Sequence, residues 1–172
     1  PAIRFITAAL DKTLTDAAIR RIFLQGMVAS AAPVFFSGMA KRRPQTTIFV
    51  LQDADEAGYF FQDLGQLMGN DDVLYFPSSY RRAVKYGQRD AANEILRTEV
   101  LARLAAERCT YVVCSPDALS ELVVSKQRLD ERTLRLNVGQ TIDVVQMVKT
   151  LRSFDFQEVD YVYEPGQFAV RG

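Results

Sequence analysis

Histidine is missing from all 172 residues of this chain. Its absence removes Ser-His-Asp and Cys-His nucleophilic catalysis and every histidine-containing metal site. Charge of one sign is also lacking: 21 Lys and Arg meet 21 Asp and Glu, for a net charge of zero. No global field therefore draws the chain to nucleic acid or anionic lipid, and any such contact needs a local patch. No apolar run approaches the roughly 20 residues of a membrane span. No basic segment precedes an apolar one at the start, as a secretory leader would require. Cysteine is scarce, with two residues, Cys109 and Cys114, at the ends of CTYVVC. In a strand, residues five apart face opposite ways, too far apart for a disulfide. Both thiols are thus expected free and buried, in keeping with a reducing cytoplasm and a soluble protein without membrane partners.

What is present is strand-helix alternation. IRRIFLQ (19–25), TTIFVL (46–51), DVLYFP (72–77) and TYVVCS (110–115) read as strands, each followed by a stretch of helical period. The helix after Asp53 opens with Asp53 and Glu56 in capping-box spacing and stops at Gly69-Asn70. Residues 89–107 repeat apolar positions at Ala92, Leu96, Val100 and Leu104, with Glu99 four before Arg103. SPDALSELV starts a further helix with Ser115 as N-cap and Pro116 at the first position. This alternation predicts an α/β fold, a parallel sheet with flanking helices. After Ser125 the pattern changes, with a boundary near residue 130. A short strand over 133–138, a helix capped by Thr141 and two β-like runs near EVDYVYE and GQFAVRG follow. Pro165-Gly166 reads as the centre of a turn between those runs. The last run has no closing partner in the sequence, as if the chain were cut inside a domain.

LQGMVASAAPVFFSG (24–38) has the layout of a phosphate-binding loop: an apolar run, a glycine, small residues, then a helix. A working loop has the form G-x-x-x-x-G-K-S/T, in which backbone N–H groups and lysine hold phosphate and a hydroxyl holds magnesium. In that frame Gly26 is followed by Ala31, Ala32 and Pro33 where glycine, lysine and Ser/Thr belong. Alanine carries no charge, and proline has neither a hydroxyl nor an N–H. The stretch is either a phosphate site without its chemistry or an ordinary turn into a helix.

Other polar groups read in two ways. Arg81, Arg82, Lys85 and Arg89, beside Tyr80 and Tyr86, form a basic cluster that can touch DNA phosphate or stack on a base. A solvated face or an intramolecular contact is the alternative, favoured by the zero net charge. Asp53, Asp55 and Glu56 resemble a magnesium-binding carboxylate cluster, but they occupy a helix cap and first turn, and capping accounts for them better. Lys41, Arg42 and Arg43 close a helix, where cations suit its dipole. No catalytic residue and no metal site emerges.

Three stretches in order, VLYFPSSYRRAVKYGQRDAANEILRTEVLARL, YVVCSPDALSE and LNVGQTIDVVQMVKTLRSFDFQEVDYVYEPGQFAVRG, together resemble the amino-terminal part of bacterial transcription-repair coupling factors (Mfd). In that family this region is similar to UvrB, the damage-recognition helicase of excision repair. The resemblance implies a degenerate phosphate-loop NTPase lobe like UvrB domain 1a over residues 1–128. Residues 129–172 would be the incomplete first part of a small α+β UvrA-binding domain. It further implies that the loop at Gly26 has lost its ATP chemistry, so that this region is not an enzyme and holds no cofactor. ATP and magnesium belong to a downstream motor of the family, as do contacts with RNA polymerase and DNA. The implied role is recruitment of UvrA after a stalled RNA polymerase has been displaced. Arg171 matches the arginine of the family's RG motif, which faces UvrA; otherwise it is a solvated strand arginine. UvrB carries a tyrosine-rich hairpin after the corresponding YF strand, whereas PSSYRRAVKYGQRD runs almost directly into a helix, with too few residues for one.

Overall fold

The computed structural model describes residues 13, 15, 16, 18, 19, 21–80 and 89–171. The chain separates into two compact units, Pro1–Leu122 and Val123–Gly172. The first unit carries α1 (Ala31–Arg42), β1 (Thr47–Val50), α2 (Ala54–Met68), β2 (Val73–Phe76), α3 (Ala91–Ala105), β3 (Tyr111–Cys114) and α4 (Pro116–Ser120). Its three strands form a parallel sheet in the order β1-β3-β2. Thr47 and Val73 both lie opposite Tyr111, and Val50 and Phe76 opposite Cys114. β3 is central and buried at all four positions, which is why YVVC reads as a continuous apolar run rather than an alternating one.

Alternation along the strands builds a core on each face. Phe49, Val73, Tyr111 and Val113 meet Ala40 of α1 and Ala57, Phe60 and Leu64 of α2. Leu74, Phe76, Val112 and Cys114 meet Val100 of α3 and Ala118 of α4. A helix layer on each side of a parallel sheet is the α/β architecture that the alternation predicts. Asp53 caps α2, its Oδ1 accepting the N–H groups of Asp55 and Glu56 at 3.0 and 2.9 Å. Glu56 reaches back to the Gln52 N–H at 3.3 Å. The helix ends at Gly69, whose φ of 92° needs no side chain in the way.

The expected first strand is absent: IRRIFLQ has no strand assignment at its described positions, and Phe23 is 87% exposed. An apolar run becomes a strand only where a neighbour supplies a ladder, and no described residue pairs with this one. Cys114 is buried but Cys109 is exposed, because β3 starts two residues after it.

The second unit contains α5 (Lys126–Glu131), α6 (Val144–Ser153), β4 (Gln157–Glu158) and β5 (Gln167–Phe168). Residues 133–138 are not a strand. Asn137 is engaged locally instead: its N–H donates to the Gln140 side chain, and its carbonyl accepts the Gln140 N–H, both at 3.1 Å. The cap of α6 is Asp143, not Thr141; its carboxylate accepts from the N–H groups of Val145 and Gln146. β4 and β5 pair parallel, Gln157 opposite Gln167. Pro165-Gly166 therefore turns the chain inside a loop and does not close a hairpin, and the final β-like run does have a partner.

Candidate functional site

The loop at Gly26 enters α1 from irregular chain rather than from a strand. Gly26 has φ 83° and Ala29 φ 50°. The Ala31 N–H donates to the Val28 carbonyl at 3.1 Å, a turn that delivers the chain to the helix. Ala31, Ala32 and Pro33 are the first three helical residues. Pro33 is tolerated there because the first N–H groups of a helix lack intrahelical partners anyway. Pro33 is buried, and Ala32 packs against the core. A phosphate and its magnesium do not fit this donor set. Position 32 offers no cation, position 33 no hydroxyl and no N–H, and both side chains face protein.

At the carboxyl ends of β2 and β3 the structure assembles a polar cluster that sequence reasoning missed. Arg97 of α3, 6% exposed, donates from Nη1 to the carbonyls of Pro77 and Ala118 at 2.8 and 3.0 Å. Its guanidinium lies 4.1 Å from the Phe76 ring centroid. Nη2 stands 3.5 Å from Glu121 Oε2, an ion pair without hydrogen-bond alignment. Glu121 in turn accepts the hydroxyls of Ser78 and Ser79, each at 2.6 Å, and the Ser79 N–H at 3.0 and 3.1 Å. Burial pushes the Glu121 carboxyl up, but the serine hydrogen bonds and the Arg97 charge together outweigh it and hold the group below its ordinary value. The carboxylate is fully engaged, so the cluster fixes backbone rather than binding or reacting. It ties the segment after β2 to the segment after β3, on the edge where parallel α/β sheets place their ligands. Arg97 and Glu121 are 24 positions apart, and each alone reads as a solvated helix charge. The only linear hint is Pro77-Ser78-Ser79 directly after a buried strand.

The same edge carries the start of the basic segment. Tyr80 and Arg89 form an isolated antiparallel bridge, and the Asp90 N–H donates to the Ser79 carbonyl at 2.7 Å. The described ends of the segment are thus paired with each other just before α3. Arg89 pairs with Glu94 at 2.9 Å and lies 6.0 Å from the Tyr80 ring centroid. Arg81, Arg82 and Lys85 lie outside the described residues. Lys41 and Arg42 close α1, and Asp53, Asp55 and Glu56 serve the cap of α2. Among the described residues no group of three or more His, Cys, Asp or Glu is placed to hold a metal ion. Among them, too, no helix is long and apolar enough to cross a membrane.

In the second unit Arg171 lies three residues past β5 and is exposed. Its Nη2 donates to the Asp160 carbonyl at 3.1 Å, and its guanidinium lies 4.4 Å from the Tyr161 ring centroid. An open groove is lined by these residues with Glu158, Val159 and Val170.

No family model matches the chain. Over 154 residues, 90% of its length, it is 22% identical to the transcription-repair-coupling factor of Bacillus subtilis (strain 168). It is also 23% identical over 167 residues to UvrABC system protein B of Ureaplasma parvum serovar 3. The chain spans 13% of the first relative and 25% of the second. The homology to each is weak and extends over nine-tenths of the chain.

Proposed function

We propose that the chain is a UvrB-like recruitment module acting in DNA repair, without catalysis of its own, and that it binds UvrA through a surface that includes Arg171. One observation carries this reading: 90% of the chain aligns with a transcription-repair-coupling factor, and 90% with a UvrB protein. The non-fitting donors at Ala31, Ala32 and Pro33 support the non-catalytic half. A guanidinium with planar donors is a frequent anchor at protein interfaces, and truncating a central one weakens binding by about 2 kcal/mol or more. Larger assignments belong to the same proposal: residues 1–128 as the degenerate lobe, 129–172 as the start of the UvrA-binding domain, a cytoplasmic location, and contacts with RNA polymerase, DNA and ATP-magnesium through other parts of a longer protein.

The test is a titration of the chain against UvrA. Arg171→Ala is expected to weaken binding by about thirtyfold, the equivalent of about 2 kcal/mol; unchanged affinity would make Arg171 an ordinary surface residue. Calorimetry with Mg-ATP is expected to show no binding tighter than about 1 mM. A tighter site would restore the reading of a nucleotide-binding lobe. DNA binding through Arg81, Arg82, Lys85 and Arg89 would announce itself as affinity that falls steeply with salt.

A further inference from the structure

Arg171 is exposed, yet its guanidinium is held on two sides. One N–H donor is taken by the Asp160 carbonyl at 3.1 Å, and the guanidinium carbon lies over the Tyr161 ring, 4.4 Å from its centroid. Tyr161 sits 6.4 Å from Tyr163, the rings tilted by 42°. These rings are not core: Tyr161 is 60% and Tyr163 85% exposed, with Val162 and Val170 beside them also exposed. The loop that carries them is tied down from β5. Gln167 Oε1 accepts the N–H groups of Tyr163 and Glu164 at 3.0 and 3.3 Å, and Gln167 Nε2 donates to Glu164 at 3.2 Å. Two aromatic rings and an arginine left in water on a fixed loop have the composition of an interface centre rather than of a solvated surface.

We infer that Tyr161 is a positioning residue for Arg171, and that Tyr161, Tyr163 and Arg171 act as one contact patch toward the partner. The ring face holds the guanidinium in one plane, and the Asp160 carbonyl sets its rotation. The donors that remain present a flat edge, which fits a carboxylate on the partner through paired N–H contacts. The acids that share the groove do not occupy that edge: Glu158 is paired with Arg152, and Asp160 contributes its main-chain oxygen. Lysine cannot substitute, because an ammonium neither stacks flat nor offers two parallel donors. The partner half of this inference rests on the recruitment reading; the positioning half does not.

Nuclear magnetic resonance of the Arg171 side-chain Nε–H in the full 172-residue chain reads the positioning half without UvrA. The resonance is expected to carry a ring-current displacement in the wild type and in Tyr161→Phe, and to lose it in Tyr161→Ala. Titration with UvrA reads the other half. Tyr161→Phe is expected to stay within twofold of wild type and Tyr161→Ala to bind about fivefold more weakly, and Arg171→Lys to bind no better than Arg171→Ala. A displacement that survives Tyr161→Ala overturns the positioning role. A displacement lost in Tyr161→Ala with UvrA affinity unchanged overturns the contact patch and leaves recruitment standing. If the wild-type chain shows the Tyr161-dependent displacement and no UvrA binding, the recruitment reading falls, and the partner half with it.

Discussion

Arg97 shows how a single residue can be misread and then matter. Its position in a periodic helix marks it as a surface charge, but the fold turns it inward over Phe76 and gives it two carbonyls and a carboxylate. Removing one partner of such a pair leaves the other buried and uncompensated. Arg97→Ala and Glu121→Ala are each expected to lower unfolding stability by about 3 kcal/mol, measured in urea. Glu121 also makes stability depend on pH. Its folded carboxyl is held below the ordinary value, so its contribution is fully present above the unfolded pKa of about 4.3 and is lost as pH falls through the folded one. Unfolding curves collected from pH 6 down to pH 3 should show this decline in the wild type and a shallower one in Glu121→Gln. Tyr111 works at the other end of the scale. Burial and the nearby Cys109 thiol push its hydroxyl up to about 12. Between pH 10 and 12 the unfolded chain has released that proton and the folded chain has not, so stability declines as pH rises. Asp53 was legible from spacing alone, because a cap is a contact three residues long. Arg97 was not, because its partners come from two other segments.

Elements divide along the same line. β1, β2, β3, α2 and α3 stand where periodicity puts them, since each carries its own signal, β-branched and aromatic runs for strands and a cap with apolar repeats for helices. The stripe expected on α3 is only half right, because Val100 and Leu104 meet the core with Leu101 while Ala92 and Leu96 are exposed. IRRIFLQ and residues 133–138 carry a strand-like pattern too, yet no strand forms, because a ladder needs a neighbour that pattern cannot guarantee. The cap of α6 was misplaced by two residues, since Thr141 and Asp143 are both good caps and only the carboxylate of Asp143 reaches the free N–H groups of Val145 and Gln146. Asp143→Ala is therefore expected to reduce helix content by circular dichroism and to lose about 1 kcal/mol from α6, whereas Thr141→Ala is expected to be silent. An equal loss from both substitutions would contradict the observed cap.

For the molecule as a whole, the two units differ in what they bury. The first has two cores around a central strand, while in the second Phe168 is the one buried apolar residue among those described. Hydrogen exchange should reflect this difference, with the amides of Tyr111–Cys114 the slowest in the chain and those of α6 and β4 exchanging well before them. Comparable protection in both units would show that the second has stability which its own burial does not explain. The sequence alone determined that this is an α/β chain with a parallel sheet, that its phosphate-like loop has no lysine at position 32 and no hydroxyl at position 33, that Asp53 caps α2, and that Pro116 opens α4, although the Ser115 side chain makes no cap hydrogen bond there. Those features are local: they depend on residue chemistry and on spacings of two to four. Only the tertiary structure decided that β3 lies between β1 and β2, that Glu121 closes over Ser78 and Ser79, and that Tyr161 carries Arg171. Each of these joins groups brought together by chain reversal, and nothing in the linear order states which distant group will arrive.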